Sequence, residues 1–246
     1  KINPIIYLPI GPIEWHGPHL PVGTDPLHAS YIAEKAADLT GGLVWPTAWW
    51  GTERERSSQV LNDLGLSESE YIVGMDFPAN SLKSGYVPED VFAYLIRSQL
   101  EIFIQMNFRI AVLVSGHGAT NQLDTLQRLA AEYNGTGRLK TLVELPFVLG
   151  DDGLMHVGHA SCIETSIMEA LYPETVEIDS LPPLPKPIYN TDWAIVDYHT
   201  FAGKPAPDRT VHHDDDPRSG SAEIGFENMR IAIENLTRRV SELRKM

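Results

Sequence analysis

Two short segments of this chain carry residues whose types and spacing suit metal chemistry. The first is Pro12-Ile13-Glu14-Trp15-His16-Gly17-Pro18-His19-Leu20-Pro21-Val22-Gly23-Thr24-Asp25. It follows an apolar run, Ile5-Ile6-Tyr7-Leu8-Pro9-Ile10, that reads as a buried strand. Glu14 and His16 are two apart, so in extended chain both side chains leave on one side. Carboxylate oxygen and imidazole nitrogen are donors for zinc, iron or manganese, and Asp25 adds a second carboxylate. The second segment, Ser115-Gly116-His117-Gly118, follows another buried strand at 110–114. Its glycines allow a tight turn and a close approach of backbone to a ligand. Both segments would share the sheet edge beyond the strand carboxyl ends, where open α/β sheets bind ligands.

Each residue also has a plainer explanation. Asp25 before Pro26 can cap a helix. Ser161-Cys162-Ile163-Glu164 has the form of a capping box, in which Glu164 reaches back to the cap backbone. His159 stands just ahead of that cap in a Gly-His-Ala turn, a natural place for a general acid or base. His19, His28, His156, His212 and His213 read as supporting or surface residues. Trp45, Trp49 and Trp50 read as core or subunit contacts, although Trp49 and Trp50 precede Gly51 and could wall a pocket.

The elements that must position these groups alternate between strand and helix, which predicts an α/β fold with a largely parallel sheet. Strands are expected at 5–10, 43–45, 110–114 and 141–145. Helices are expected at 26–40, 88–107, 121–133, 162–171 and 221–244. Val91, Leu95, Ser98, Ile102 and Met106 mark the periodic face of the 88–107 helix. The stretch 188–220 reads as irregular, and nothing divides the chain into two units.

At 246 residues the chain suits one domain with a full core. A net charge of −14 without a basic cluster argues against a nucleic-acid or anionic-membrane partner. No apolar run is long enough to span a bilayer. One cysteine, Cys162, excludes an internal disulfide and suits a reducing compartment, so a cytoplasmic setting is expected.

Taken together the segments resemble the creatininase (creatinine amidohydrolase) family. The run from Pro9 to Asp25 looks like its opening signature, and Ser115-Gly116-His117-Gly118-Ala119-Thr120-Asn121 is similar to its Gly-His-Gly turn. Gly158-His159-Ala160 with Glu164-Thr165-Ser166 resembles its third motif, and Asp216-Pro217-Arg218 with Ala222-Glu223-x-Gly225 the segment before its last helix. The resemblance implies a three-layer α/β/α sandwich and a homo-oligomer, commonly a hexamer. It implies two divalent metal ions per chain, zinc first, with iron or manganese as options at one site. Glu14 and His117 would hold one ion and His16 the other, with Asp25 bridging and Glu164 or water completing the coordination of the second ion. His159 matches the catalytic histidine.

The departures are specific. The further glutamate that creatininase has two residues after the turn histidine is here Ala119, and the tryptophan four residues before the catalytic histidine is Met155. Phe77-Pro78-Ala79-Asn80-Ser81-Leu82 only partly resembles the family's substrate loop, from which Ser81 would touch substrate as Trp50 would. About twenty residues, 56–76, appear as an insert within the single 1–246 domain, read as a lid or subunit contact. The expected activity is metal-dependent hydrolysis, in which a two-metal-activated water cleaves a cyclic amide or formamide bond in a small polar substrate other than creatinine. The alternatives are a C–C hydrolase opening a cyclic polyol ketone of the inosose type, and a non-catalytic metal-binding or ligand-binding protein of the same fold.

Overall fold

The computed structural model describes residues 4–148, 158–191, 194–195, 211 and 214–245, apart from 64, 79 and 81. Its centre is a four-stranded sheet of β1 (Ile5–Ile10), β2 (Leu43–Val44), β3 (Ile110–Ser115) and β4 (Lys140–Glu144). The strands run in the order β2-β1-β3-β4 and every neighbouring pair is parallel. Both central strands, β1 and β3, are buried along their whole length, which is why they read as unbroken apolar runs.

Pleating divides their side chains between two cores. Ile6, Leu8 and Ile10 of β1 join Ala111 and Leu113 of β3 against helices α3 (Glu89–Gln105) and α4 (Thr120–Thr136). Ile5, Tyr7, Ile110, Val112 and Val114 face the other way, against α1 (Thr24–Thr40), α5 (Cys162–Leu171) and α6 (Ala222–Lys245). Helices therefore cover both faces, giving the three-layer sandwich. Each large aliphatic buried this way contributes about 1.5–3 kcal/mol.

Helix α3 buries a different face from the one its sequence periodicity picked out. Phe92, Ile96, Leu100 and Phe103 enter the core, while Val91, Ile102 and Met106 are exposed beside Tyr94. Both stripes have helical spacing, and the core takes the one with two phenylalanines because it removes more apolar area from water.

The 56–76 segment contains a short helix, α2 (Ser58–Asp63), that the sequence did not announce. Its two ends are tied together: Glu55 bridges Val73, the Arg56 N–H donates to the Ile72 carbonyl at 2.8 Å, and the Gly74 N–H to the Arg54 carbonyl at 3.1 Å. Leu61, Ile72, Met75 and Phe77 form its own small core, closed by Trp15 standing edge-on to Phe77 at 5.8 Å. Within 188–220, two-residue strands β5 (Asn190–Thr191) and β6 (Ala194–Ile195) pair antiparallel, and a 3-10 turn forms at Pro217–Ser219.

From β1 the chain steps to β2 on one side, then crosses back to β3 and β4 on the other. The direction of winding reverses at β1, so a crevice opens beyond the carboxyl ends of β1 and β3. The Glu14 and His117 segments begin there.

Candidate metal centre

Close backbone packing brings the two segments onto the first turn of α1. A Cβ built at Gly11 would sit 2.7 Å from the Asp25 Cβ, and one at Gly116 only 2.1 Å from the Asp25 carbonyl oxygen. Glycine at both strand ends thus lets the helix start wedge between them. Asp25 does not cap α1; the helix begins at Thr24 with Gly23 at the cap. The carboxylate instead divides its oxygens, Oδ1 lying 3.0 Å from His16 Nε2 and Oδ2 3.1 Å from His117 Nδ1.

Around Asp25 the remaining groups converge. Glu14 Oε1 lies 3.3 Å from His117 Nδ1 and 3.7 Å from both His16 Nε2 and His159 Nδ1. Glu164 Oε1 is 3.9 Å from His16 Nε2, while its Oε2 accepts from the Ala160 N–H. That back-bond is displaced by one residue from the expected capping box, so one oxygen anchors the α5 start and the other reaches the cluster. Among the described residues, three groups have donor atoms close enough together to share an ion: Glu14–Asp25–His117, His16–Asp25–Glu164 and Glu14–His16–His159.

The donor chemistry fits a cation. His16 Nδ1 lies 3.1 Å from the Glu14 carbonyl, which can only accept, so Nδ1 carries the proton. The Nε2 lone pair then points at carboxylate oxygens, a repulsive arrangement unless a second proton or a cation intervenes. His117 Nε2 is buried and has no hydrogen-bond partner. Burial alone would lower the His16 pKa, but the Asp25 carboxylate, with Glu164 and Glu14, carries it up to about 10. Burial likewise opposes protonation of His117, yet Glu14 and Asp25 raise it well above the ordinary value. Burial pushes Glu14 up, but His117, His159 and His16 hold it far below the usual carboxylate range. Glu164 goes to about 7, raised by burial against the pull of His16. Without a metal, the imidazoles supply the positive charge that the carboxylates require.

His159 differs. Burial and the neighbouring His16 lower its pKa to about 4, so the ring is neutral near pH 7. Its Nε2 lies 2.6 Å from the Trp15 carbonyl and must donate to it, leaving the Nδ1 lone pair free to accept. The ring lies against His16 with centroids 4.3 Å apart. Beside the cluster opens a cavity of about 480 Å³, lined among others by Glu14, His117, His159 and Glu164.

Trp50 stands edge-on to Phe92 against the α3-side core and is not among the residues that line that cavity. Ser81, Met155, His156, His212 and His213 lie outside the described residues. His19 is buried with Nε2 3.0 Å from the Thr165 hydroxyl, and His28 is buried against Phe147. Two neighbours of the cluster escaped the sequence reading. Tyr86 donates its hydroxyl to Glu14 Oε2, and Glu53 Oε2 lies 4.0 Å from His117 Nε2. No motif marks either; a parallel bridge between Gly51 and Tyr86 draws both segments in.

The family model of creatininase (creatinine amidohydrolase) matches residues 1–240. The creatinine amidohydrolase of Pseudomonas putida is 25% identical over 206 residues, covering 76% of this chain and 72% of that protein. A Bacteroides fragilis protein assigned as a creatinine amidohydrolase superposes with a TM-score of 0.64 at 22% identity, covering 96% of this chain and 88% of its own. A creatininase variant of the Zn-Zn type gives a TM-score of 0.64 at 22% identity, over 97% of this chain and 90% of its own. These structural likenesses speak to the fold, and the family model speaks to descent along nearly the whole sequence. The chain belongs to the creatininase family of amidohydrolases.

Proposed function

We propose that the protein hydrolyses a non-peptide C–N bond, in a cyclic amide or a formamide, using two divalent ions held by its buried carboxylates and imidazoles. The observation that carries this reading is the division of Asp25 between His16 and His117, one oxygen to each. A carboxylate so divided is set to bridge two cations. Glu14 and His117 would complete one site, and His16 with Glu164 the other. Ala119 stands where creatininase has its further glutamate, and Glu164 Oε1, 3.9 Å from His16 Nε2, would supply a carboxylate oxygen in its stead. Forms of creatininase named Zn-Zn type and Mn support zinc first, with manganese as the alternative.

When bound, the ions supply a water of lowered pKa and a Lewis acid for the substrate carbonyl. The chain's own part is proton handling and positioning. His159, neutral and fixed by its bond to Trp15, accepts a proton at Nδ1 and returns it to the leaving nitrogen. Glu14, His16 and Asp25 are each 3% exposed or less, and that burial strengthens each electrostatic contact. Kinship with amidohydrolases favours C–N over C–C cleavage.

A homo-oligomer, a hexamer in the family pattern, belongs to the same proposal. The exposed apolar stripe Val91, Tyr94, Ile102 and Met106 on α3 supports it, and light scattering tests it. The single-domain organisation, with 56–76 as an inserted lid or subunit contact, also belongs here. Among the described residues no helix is long and apolar enough to cross a membrane, and the one buried cysteine supports a cytoplasmic setting.

The test is elemental analysis of tag-free protein purified without chelator, followed by a screen of small cyclic amides and formamides. About two ions per chain, falling in His16→Ala together with hydrolysis, is the expected result. A protein that holds no ion after incubation with zinc or manganese overturns it.

A further inference from the structure

One ring nitrogen at the metal centre lacks an acceptor. His117 turns Nδ1 towards Asp25 Oδ2 at 3.1 Å and Glu14 Oε1 at 3.3 Å. An ion shared by those groups takes the Nδ1 lone pair, and the neutral ring then carries its proton on Nε2. Nε2 is buried without a hydrogen-bond partner, a costly state for a donor. Ligating histidines almost always donate this second proton to a carboxylate, a backbone carbonyl or water. That bond fixes the tautomer and makes the ligating nitrogen more basic.

Glu53 stands opposite this nitrogen. Its Oε2 lies 4.0 Å from Nε2, about 1 Å beyond hydrogen-bond length, and its side chain is 19% exposed. Its Oε1 accepts from the Arg54 N–H at 2.7 Å, which leaves Oε2 as the oxygen directed at the ring. The terminal torsion of a glutamate is soft, and a small swing closes the gap.

Two sets of contacts keep Glu53 in this place. The Thr52 N–H donates to Gln122 Oε1 at 2.9 Å, and Gln122 Nε2 donates to the Ser115 hydroxyl at 2.9 Å. That hydroxyl donates in turn to the His117 carbonyl at 2.7 Å. Thr52, Gln122 and Ser115 are fully buried, so a dry chain ties the residue before Glu53 to the turn that carries His117. On the other side Gly74, at φ +55°, leaves room at the neck of the 56–76 insert. A Cβ there would lie 2.6 Å from Glu53 Cγ and 2.5 Å from the Tyr86 ring. The neck therefore backs both Glu53, which faces His117, and Tyr86, which bonds Glu14.

We propose that Glu53 is a positioning residue for the Glu14–Asp25–His117 ion: it accepts the His117 Nε2 proton and holds the Nδ1 lone pair on the metal. This rests on the two-metal reading above and adds to it a carboxylate that belongs to none of the three donor groups. Glu53 does not ligate the ion, because its Oε2 faces the ring nitrogen that the ion does not use.

The test measures zinc affinity by chelator competition, and zinc content at saturation, in Glu53→Ala and Glu53→Gln. Glu53→Ala should hold one of its two ions about 10–100-fold more weakly, with content at saturation unchanged. Glu53→Gln keeps an acceptor oxygen and should recover affinity to within about threefold of the unmodified protein. In zinc-loaded protein labelled with 15N-histidine, NMR should show one imidazole N–H lost in Glu53→Ala and kept in Glu53→Gln. A packing defect elsewhere would not produce that pattern. Unchanged affinity in Glu53→Ala overturns the proposal, as does a Glu53→Gln protein no better than Glu53→Ala, since charge alone would then be at work. Loss of a whole ion at saturation also overturns it, by making Glu53 a ligand. Should Glu53→Ala fail to fold, Glu53→Leu, which fills similar volume and offers no acceptor, takes its place under the same expectations. A protein that binds no zinc or manganese overturns this proposal and the two-metal reading together. One that binds two ions with this dependence on Glu53, yet cleaves no amide, overturns the hydrolytic reading alone.

Discussion

The Tyr86 hydroxyl donates to Glu14 Oε2 across 72 residues of sequence, and in doing so decides which Glu14 oxygen faces the cluster. Oε2 is occupied by the phenol, while Oε1 is left 3.3 Å from His117 Nδ1 and 3.7 Å from His16 Nε2. Burial and the Glu14 charge both push the Tyr86 pKa well above 10, so the phenol stays a donor. The Met75 N–H, at 3.3 Å, steadies its oxygen in turn. Groups that orient a metal ligand in this way typically account for 10–100-fold in metal affinity or activity. Tyr86→Phe should therefore weaken zinc binding by about that factor in a chelator competition, with little change in secondary structure by circular dichroism.

Asp25 is the residue common to the Glu14–Asp25–His117 and His16–Asp25–Glu164 groups. Asp25→Ala should take zinc content from about two ions per chain to below one, whereas His117→Ala should spare the His16–Glu164 side and keep about one. Equal losses in both variants, read by elemental analysis, would remove the bridging role.

Glu164 serves the α5 start with one oxygen and the cluster with the other. Glu164→Gln keeps an oxygen that can accept from the Ala160 N–H but loses the charge. Zinc content should drop by about one ion while unfolding free energy changes by less than about 1 kcal/mol. A large stability loss at unchanged zinc content would make Glu164 a structural anchor only.

Gly116→Ala tests the wedge at the strand ends. The added Cβ would collide with the Asp25 carbonyl at 2.1 Å, a backbone atom that cannot swing away. Overpacking typically costs about 1–3 kcal/mol. A melting temperature several degrees lower is expected, together with weaker zinc binding, since Asp25 itself must shift.

His28 links stability to pH. Burial lowers its pKa from 6.5 to about 4, and neither ring nitrogen has a hydrogen-bond partner. Between those values the unfolded chain takes up a proton that the folded chain refuses. The stability contribution is complete above about 6.5, falls as pH drops, and is exhausted below about 4. The slope is at most about 1.4 kcal/mol per pH unit for one proton. Urea unfolding at pH 7 and pH 5 should show a smaller difference in His28→Phe than in the unmodified protein.

The sequence by itself determined the parts of this protein that local chemistry encodes. Unbroken apolar runs at 5–10 and 110–114 gave the two central strands, because a parallel strand covered on both faces must be apolar throughout. Glu14, His16, Asp25, His117, His159 and Glu164 were legible because they lie in motifs immediately after strands or before helices. What the sequence left open was every choice between two locally equal options. Helix α3 offers two apolar stripes, and only the sheet decides that Phe92 and Phe103 turn inward. Asp25 suits both a cap and a ligand, and the distances to His16 and His117 settle where its carboxylate points. Tyr86, Glu53, Arg54 and Arg56 belong to no motif and reach the cavity through bridges from Gly51 to Tyr86 and from Glu55 to Val73. Pairings of that kind are long-range contacts, and their partners are fixed by the packed backbone rather than by the residues beside them in the chain.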